Sequence, residues 1–449
     1  MQRDCWGWPD DTNHRCRSLA LIAATAKPSL TRNQIRGFWA SWAGIVLDGM
    51  DSFIYALVLV PAMRDLLPAS GIEATAGNLG FYGSILFAVF LVGWGCAFLW
   101  GPLADRFGRV RSLMLAILCY SVFTFLGCIA HNIWQLGFFR LLAGFGVGGE
   151  FVGAATFVAE EMPDHRRVSA AGFLNSGYYV GTFVAAGLNY LIGAHYGWRA
   201  MFAIGGAPAL FVAWIRFGVH EPQRWQKRVA DIGKWRAWDS LAALFSVEYR
   251  KKTLVNCLFL LISMIGLWAG SVYAPGAVTQ VATREGYGNA DAARIASWAT
   301  MLLSTGTILG CLGMPWLANR FGRRGTLACF YGLMAAAIAL SFGYAFYLPR
   351  GALETFIPCL FLVGVGGASF SVYIVWLPEQ YRTECRASAF AFATSSGRFV
   401  AAGVTFLVGS GVAHFGTIGI PVALTALAFL PGLVLLPWGV ETKGKPLPA

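Results

Sequence analysis

Leu103-Ala-Asp-Arg-Phe-Gly-Arg109 recurs 214 residues later as Leu317-Ala-Asn-Arg-Phe-Gly-Arg323, and each copy is a short basic turn between long apolar runs. A second pair keeps the same order. Glu160 with Arg167-Val-Ser-Ala-Ala-Gly-Phe173 matches Glu379 with Arg386-Ala-Ser-Ala-Phe-Ala-Phe392, at an offset of 219. The five-residue slip fits an insertion or deletion between the third and fourth helices of one half. Two parallel membrane-embedded repeats around a midplane site are a transporter architecture, worked by rocking one half against the other.

Composition agrees. Of 449 residues, 57% are apolar and 12% charged, with a mean hydropathy of +0.59. A soluble domain carries about 25% charged residues and stops enlarging its core near ~250–300 residues, so a water-soluble enzyme or a disordered chain is excluded. A spanning helix needs about 20 apolar residues. The apolar runs predict spans at 37–63, 79–100, 112–131, 133–159, 168–193 and 198–217, then 252–280, 290–317, 326–347, 353–376, 387–413 and 416–438. The expected organisation is a tail over 1–36, a six-helix bundle over 37–217, a basic central loop over 218–251, a second bundle over 252–438 and a tail over 439–449. The fold class is an all-α membrane protein of twelve transmembrane helices in two pseudo-symmetric six-helix halves.

The net charge of +12 does not imply nucleic acid, because Lys and Arg in short loops set membrane orientation. Alternate loops counted from the N-terminal tail hold 27 of them. The opposite loops hold five: Arg64, Arg199, Arg284, Arg294 and Arg350. Both tails and the central loop are therefore expected in the cytoplasm. The ten cysteines form no C-x-x-C pair, and the six histidines fall in loops or at helix ends. No metal site or cofactor is expected, and the lipid bilayer is the one macroscopic partner.

Charged residues inside spans are functional candidates by default. Asp48, Asp51 and Tyr55 share one face of span 1 at spacings of four and three. Two carboxylates so close in a low-dielectric layer repel one another, and holding a proton relieves both costs. Span 4 starts with Arg140, which could meet a span-1 aspartate or an anionic substrate. Its Gly144-Phe-Gly-Val-Gly-Gly-Glu150 run allows close helix contact. Glu150 lies ten residues on, about 280° around the helix from Arg140, and could be a buried structural carboxyl or a proton relay. Arg398 follows Thr394-Ser-Ser-Gly in span 11, where its planar fork suits a carboxylate; pairing with a span-1 aspartate is the alternative. Softer substrate-binding candidates are Asn175, Tyr178, Tyr179 and Thr182 in span 5, with Tyr373 and Trp376 in span 10.

The Gly101-Pro-Leu-Ala-Asp-Arg-Phe-Gly-Arg109 turn, with its degenerate copy, resembles the signature loop of the major facilitator superfamily over about residues 35–445. That resemblance implies gating roles for Gly101, Asp105, Arg106, Gly108 and Arg109, and for Arg320 and Arg323 in the copy. Three further stretches are similar to the sialate and monocarboxylate proton symporters: Leu47-Asp-Gly-Met-Asp51, Gly146-Val-Gly-Gly-Glu150, and Leu377-Pro-Glu-Gln-Tyr-Arg-Thr-Glu-Cys-Arg386 leading to Arg398. The paired aspartates with Arg140 and Arg398 also resemble aromatic-acid proton symporters. The expected protein is a monomeric importer of a small organic acid anion in the plasma (bacterial inner) membrane, coupled to protons at Asp48, Asp51 and Glu150. A carrier of aromatic acids, or of a neutral or zwitterionic solute, is the alternative. A membrane enzyme or a channel is disfavoured by the histidine positions and by the two-half repeat.

Overall fold

The computed structural model describes residues 30–208, 210, 218–232 and 237–448. Most of the predicted tail over 1–36, the end of span 6 and part of the central loop lie outside the described residues. What is described is helical, with no strand. Seven helical stretches are long and apolar enough to cross a bilayer: Phe81–Phe107, Arg109–Gly127, Ile133–Glu161, Arg294–Tyr347, Ala352–Gln380, Arg386–Val408 and Gly419–Trp438. Arg294–Tyr347 runs for 54 residues, which is two crossings at about 20 residues each. Helices Arg32–Ala69, Asp164–Leu188 and Arg250–Val272 take the places of spans 1, 5 and 7, and Ala194–Gly205 opens span 6. Twelve crossings in two halves result.

The repeated turns are tighter than the sequence suggests. Residues 101–109 are expected as a loop, yet span 2 passes through a short 3₁₀ turn at Cys96–Leu99 and continues as helix Trp100–Phe107. Only Gly108 leaves the helix, at φ 110°, and its counterpart Gly322 does the same at φ 75°. Glycine alone adopts such angles freely, so one residue per repeat reverses the chain. The polar face of the turn is satisfied inside the protein, so the helix has no reason to stop where hydropathy falls.

Polarity is distributed inside out. Phe81, Trp134, Trp298, Trp316, Phe406 and Val434 are exposed around the bundle, a surface suited to acyl chains and a liability in water. Within each half, spans 2 and 4, or 8 and 10, cross on glycine. A Cβ at Gly144 would come 2.2 Å from the Phe90 carbonyl oxygen, and one at Gly364 2.0 Å from that of Leu303. Close backbone approach of this kind supplies the dispersion that holds helices together where lipid removes the hydrophobic drive.

Candidate transport site and latch

Asp48, Asp51, Arg140, Glu150 and Arg398 are all buried, none more than 3% exposed. The Arg140 guanidinium lies between the rings of Tyr55 and Phe90, 4.5 and 4.2 Å from their centroids. Its Nη1 is 3.9 Å from Asp51 Oδ2, and its three nitrogens make no hydrogen bond. Arg398 reaches from span 11 to the other half and lies 4.1 Å over the ring of Trp94. Its Nη1 donates to the Thr394 carbonyl at 2.8 Å, its Nε is unpartnered, and Asp48 is the carboxylate it faces. Ser52 donates to Asp48 Oδ1 at 3.3 Å, and Tyr178 stands among Ser52, Asp48 and Arg398.

Cation–π contact contributes about 2 kcal/mol in a desolvated site. Burying a charge without a hydrogen-bonded partner costs several kcal/mol. The two arginines therefore present donors in need of an acceptor, and a carboxylate fits the fork of each. Glu150, ten residues further along span 4 than Arg140, lies against Gly44 of span 1. A Cβ there would sit 2.0 Å from Glu150 Oε1. Asp48 and Asp51 are within electrostatic reach of Glu150.

The turn between spans 2 and 3 ties the first half to the second, a latch of hydrogen bonds in this conformation. Asp105 accepts from the Ala387 and Ser388 amides at 3.2 and 2.9 Å and from Ser388 Oγ at 2.6 Å. It thus caps the first turn of span 11, in the other half of the molecule. Arg109 donates through Nε and Nη2 to both Glu160 oxygens at 3.0 and 2.8 Å and to the Thr383 carbonyl at 2.8 Å. Arg386 donates to the same Glu160 at 2.8 Å. The copy is incomplete. Arg323 holds Glu379 at 3.1 and 2.7 Å, but Asn319 replaces the aspartate and is exposed. Arg106 and Arg320 are likewise exposed, beside the rings of Phe107 and Phe321.

Removing the Asp105 carboxylate orphans three donors and should cost about 1–2 kcal/mol of the latched state, roughly five- to thirtyfold in population. Cys311 reports the change. It is buried between the halves, where it accepts from Asn175 Nδ2 at 3.3 Å and a Cβ at Gly172 would meet its carbonyl at 2.5 Å. In Asp105→Ala, modification of Cys311 by N-ethylmaleimide, read by mass spectrometry, should speed up by that factor while exposed Cys329 reacts as before. Unchanged labelling of Cys311 in folded Asp105→Ala would show that the latch does not hold this end shut.

The structure gathers Asp48, Asp51, Tyr55, Arg140, Arg398 and Tyr178 into one cluster, with Glu150 behind it. It sets others apart. Asn175 bridges to Cys311, and Tyr179 is beside the same thiol. The Tyr373 hydroxyl is bonded to Ser263 and Tyr331, both at 2.8 Å, and to the Phe259 carbonyl, within the second half. The Trp376 indole donates to the Val440 carbonyl.

Sequence reading missed Phe90 and Trp94, one turn apart on span 2, whose only signal is that spacing. It also missed Glu221 and Glu441. Glu221 accepts from the amides of Arg109, Val110 and Arg111, and Glu441 from those of Arg323 and Arg324. Burial pushes the Glu221 carboxyl up from its ordinary value against those donors. At Glu441 burial acts the same way, but backbone amides outweigh it and hold the carboxyl down. The recurrence of Glu at an offset of 220 was the available signal.

A family-wide profile described as Major Facilitator Superfamily matches residues 41–288, more than half of the chain. The chain belongs to that superfamily. Within it, the probable 4-methylmuconolactone transporter of Cupriavidus pinatubonensis is 30% identical, over 92% of this chain and 91% of that one. The sialic acid transporter NanX of Escherichia coli is 35% identical over a shorter stretch, 43% of this chain and 45% of that one. Among solved structures, the proton:xylose symporter XylE of E. coli superposes with a TM-score of 0.74 at 20% identity, covering 92% of this chain and 98% of that one. This last likeness is one of fold. As a member of the major facilitator superfamily the chain is a multi-pass membrane transporter and not an enzyme.

Proposed function

We propose that the chain imports an organic acid anion together with protons, by alternating access between the halves over 37–217 and 252–438. The observation that carries this reading is the interleaving of two guanidinium groups with unmet donors and two carboxylates, Arg140, whose three nitrogens make no hydrogen bond, with Asp51, and Arg398, whose Nε is unpartnered, with Asp48. An ionised aspartate occupies the arginine that an incoming carboxylate needs. Protonation of the aspartate frees it, so proton and substrate bind together and leave together. Coupling then needs only protons, with no metal or organic cofactor.

The charge asymmetry of the loops supports both tails on the cytoplasmic face of a bacterial inner membrane. On that orientation the latch closes the inner side, and the protein would act as a monomer. The rings of Tyr55, Phe90 and Trp94 around the guanidinium groups favour an unsaturated or aromatic acid over an aliphatic one within this class. The names of the relatives span both kinds, muconolactone on one side and sialic acid on the other.

The test is uptake into proteoliposomes of labelled lactate, benzoate, N-acetylneuraminate and glucose. Accumulation of at least one acid should rise when the outside is acidified and collapse with a protonophore. Accumulation that follows sodium and ignores pH, or that selects glucose, refutes the reading.

A further inference from the structure

The buried polar atoms of the first half are not scattered. On span 3, Ser112, Tyr120 and Thr124 lie at multiples of four residues on one face, and on span 1 Ser41, Gly44 and Asp48 follow at spacings of three and four. Thr124 stands beside Asp51 and Tyr120 beside Glu150. The hydroxyls of Ser41 and Ser112 and Asp48 Oδ2 are buried and make no hydrogen bond within the protein, and the buried Glu150 and Asp51 carboxylates face the hydroxyls of Tyr120 and Thr124. Gly44, against which Glu150 rests, is about 6 Å nearer the latch than Asp48 at ~1.5 Å per residue, and Ser41 is about 4.5 Å nearer still. Ser112 is one turn from Arg109 of the latch. A polar seam thus runs between spans 1, 3 and 4, from the aspartates to the latch end.

The second half has no such seam among the described residues. Where the first repeat reads Gly146-Val-Gly-Gly-Glu150, the second reads Gly364-Val-Gly-Gly-Ala368. Its central hydroxyls, Ser263, Tyr331 and Tyr373, satisfy one another. A line of unmet donors and acceptors in one half only is costly unless water or a proton uses it.

We infer that the first half carries its own proton exit, in which Glu150 takes the proton from Asp48 and hands it to water held by Tyr120, Ser41 and Ser112, while the substrate leaves between the halves. The inference rests on the proton-symport reading above. In the transfer the O–H bond of the Asp48 carboxylic acid breaks and one forms on the Glu150 carboxylate. Asp48 is left ionised beside Arg398, where it displaces the substrate carboxylate from the guanidinium. Glu150 then releases the proton to the seam and returns to its carboxylate. The charged and titratable groups facing this path are Asp48 and Asp51 from span 1, Tyr120 from span 3, Arg140 from span 4, Tyr178 from span 5 and Arg398 from span 11.

The experiment uses the full chain in proteoliposomes loaded with a pH-reporting dye, with whichever of lactate, benzoate and N-acetylneuraminate the wild type accumulates fastest. Glu150→Gln should lower substrate-linked proton entry at least roughly tenfold, a conservative share of the roughly 100- to 10,000-fold that a positioned proton acceptor contributes, while exchange of labelled for unlabelled acid at equal pH persists. Glu150→Asp should recover part of the proton entry, because it restores a titratable group, and Tyr120→Phe should slow it severalfold. Wild-type proton entry in Glu150→Gln overturns the route. If Glu150→Gln fails to fold, wild-type proton entry in Tyr120→Phe overturns it equally. Absence of substrate-linked proton entry in the wild type is a different result and removes the symport reading itself.

Discussion

Arg398→Lys should lose roughly 30-fold or more in affinity for the transported acid while the protein still folds and reaches the membrane. Removing one partner of a desolvated, charge-assisted contact costs about 2–5 kcal/mol, and 2 kcal/mol is already close to 30-fold. Lysine keeps the charge, so long-range attraction of the anion survives. What goes is the flat guanidinium lying 4.1 Å over Trp94 and the second nitrogen of the fork. Arg398 is favoured over Arg140 because it crosses from one half to the other, so a substrate held there feels both halves move. Arg140 is wedged between Tyr55 and Phe90 within the first half and has Asp51 as its own neighbour. Direct binding to purified Arg398→Lys and Arg140→Lys, using the acid that the wild type accumulates, decides between them. Wild-type affinity in Arg398→Lys alongside loss in Arg140→Lys would transfer the anchoring role to span 4.

The second large effect is expected at Asp51. The amide of Asp51→Asn is nearly isosteric but cannot take up and release a proton at physiological pH. With one proton per substrate, a gradient of one pH unit stores about 1.4 kcal/mol and supports roughly tenfold accumulation. In Asp51→Asn that ratio should fall to about one, while exchange at equal pH continues. Asp48→Asn is the necessary companion, since Asp48 faces Arg398 and lies one turn from Gly44, against which Glu150 rests. Tenfold accumulation retained in both variants would place the coupling proton outside span 1, with Glu150 the next carboxylate to test.

Much of the architecture was legible because it depends on local pattern. The Phe-Gly-Arg repeats, the loop charges and the apolar runs are each readable within a few residues, and they give twelve crossings in two halves. Span ends were not legible in the same way. Hydropathy sees only the lipid-facing stretch, so span 1 was expected over 37–63 but runs as Arg32–Ala69, and span 2 continues through the turn to Phe107. Helical spacing placed Asp48, Asp51 and Tyr55 on one face, and placed Glu150 away from Arg140. It could not say which neighbour each face meets. Arg398 on Trp94, Glu150 on Gly44 and Tyr373 among hydroxyls are contacts between residues far apart in sequence, and each depends on helix packing. Tyr373 and Trp94 show the limit well, since both are aromatic residues in spans and only tertiary contact separates their surroundings.

The Asp105 cap has a consequence for how the molecule is built. Its partner Ser388 lies 283 residues further along the chain. At ~5–20 residues per second of synthesis, that gap is roughly 15–55 s. Until then the Asp105 carboxylate lacks its span-11 donors, while Arg109, which also pairs with Asp105, and Glu160, both made early, can already neutralise each other. The first half must therefore persist as a self-sufficient bundle, and the arrival of span 11 is the event that completes the latch, with span 12 still to follow. A substitution that weakens the Arg109–Glu160 pair would be felt first by the quality-control machinery that inspects half-made chains, before any effect on transport could be measured.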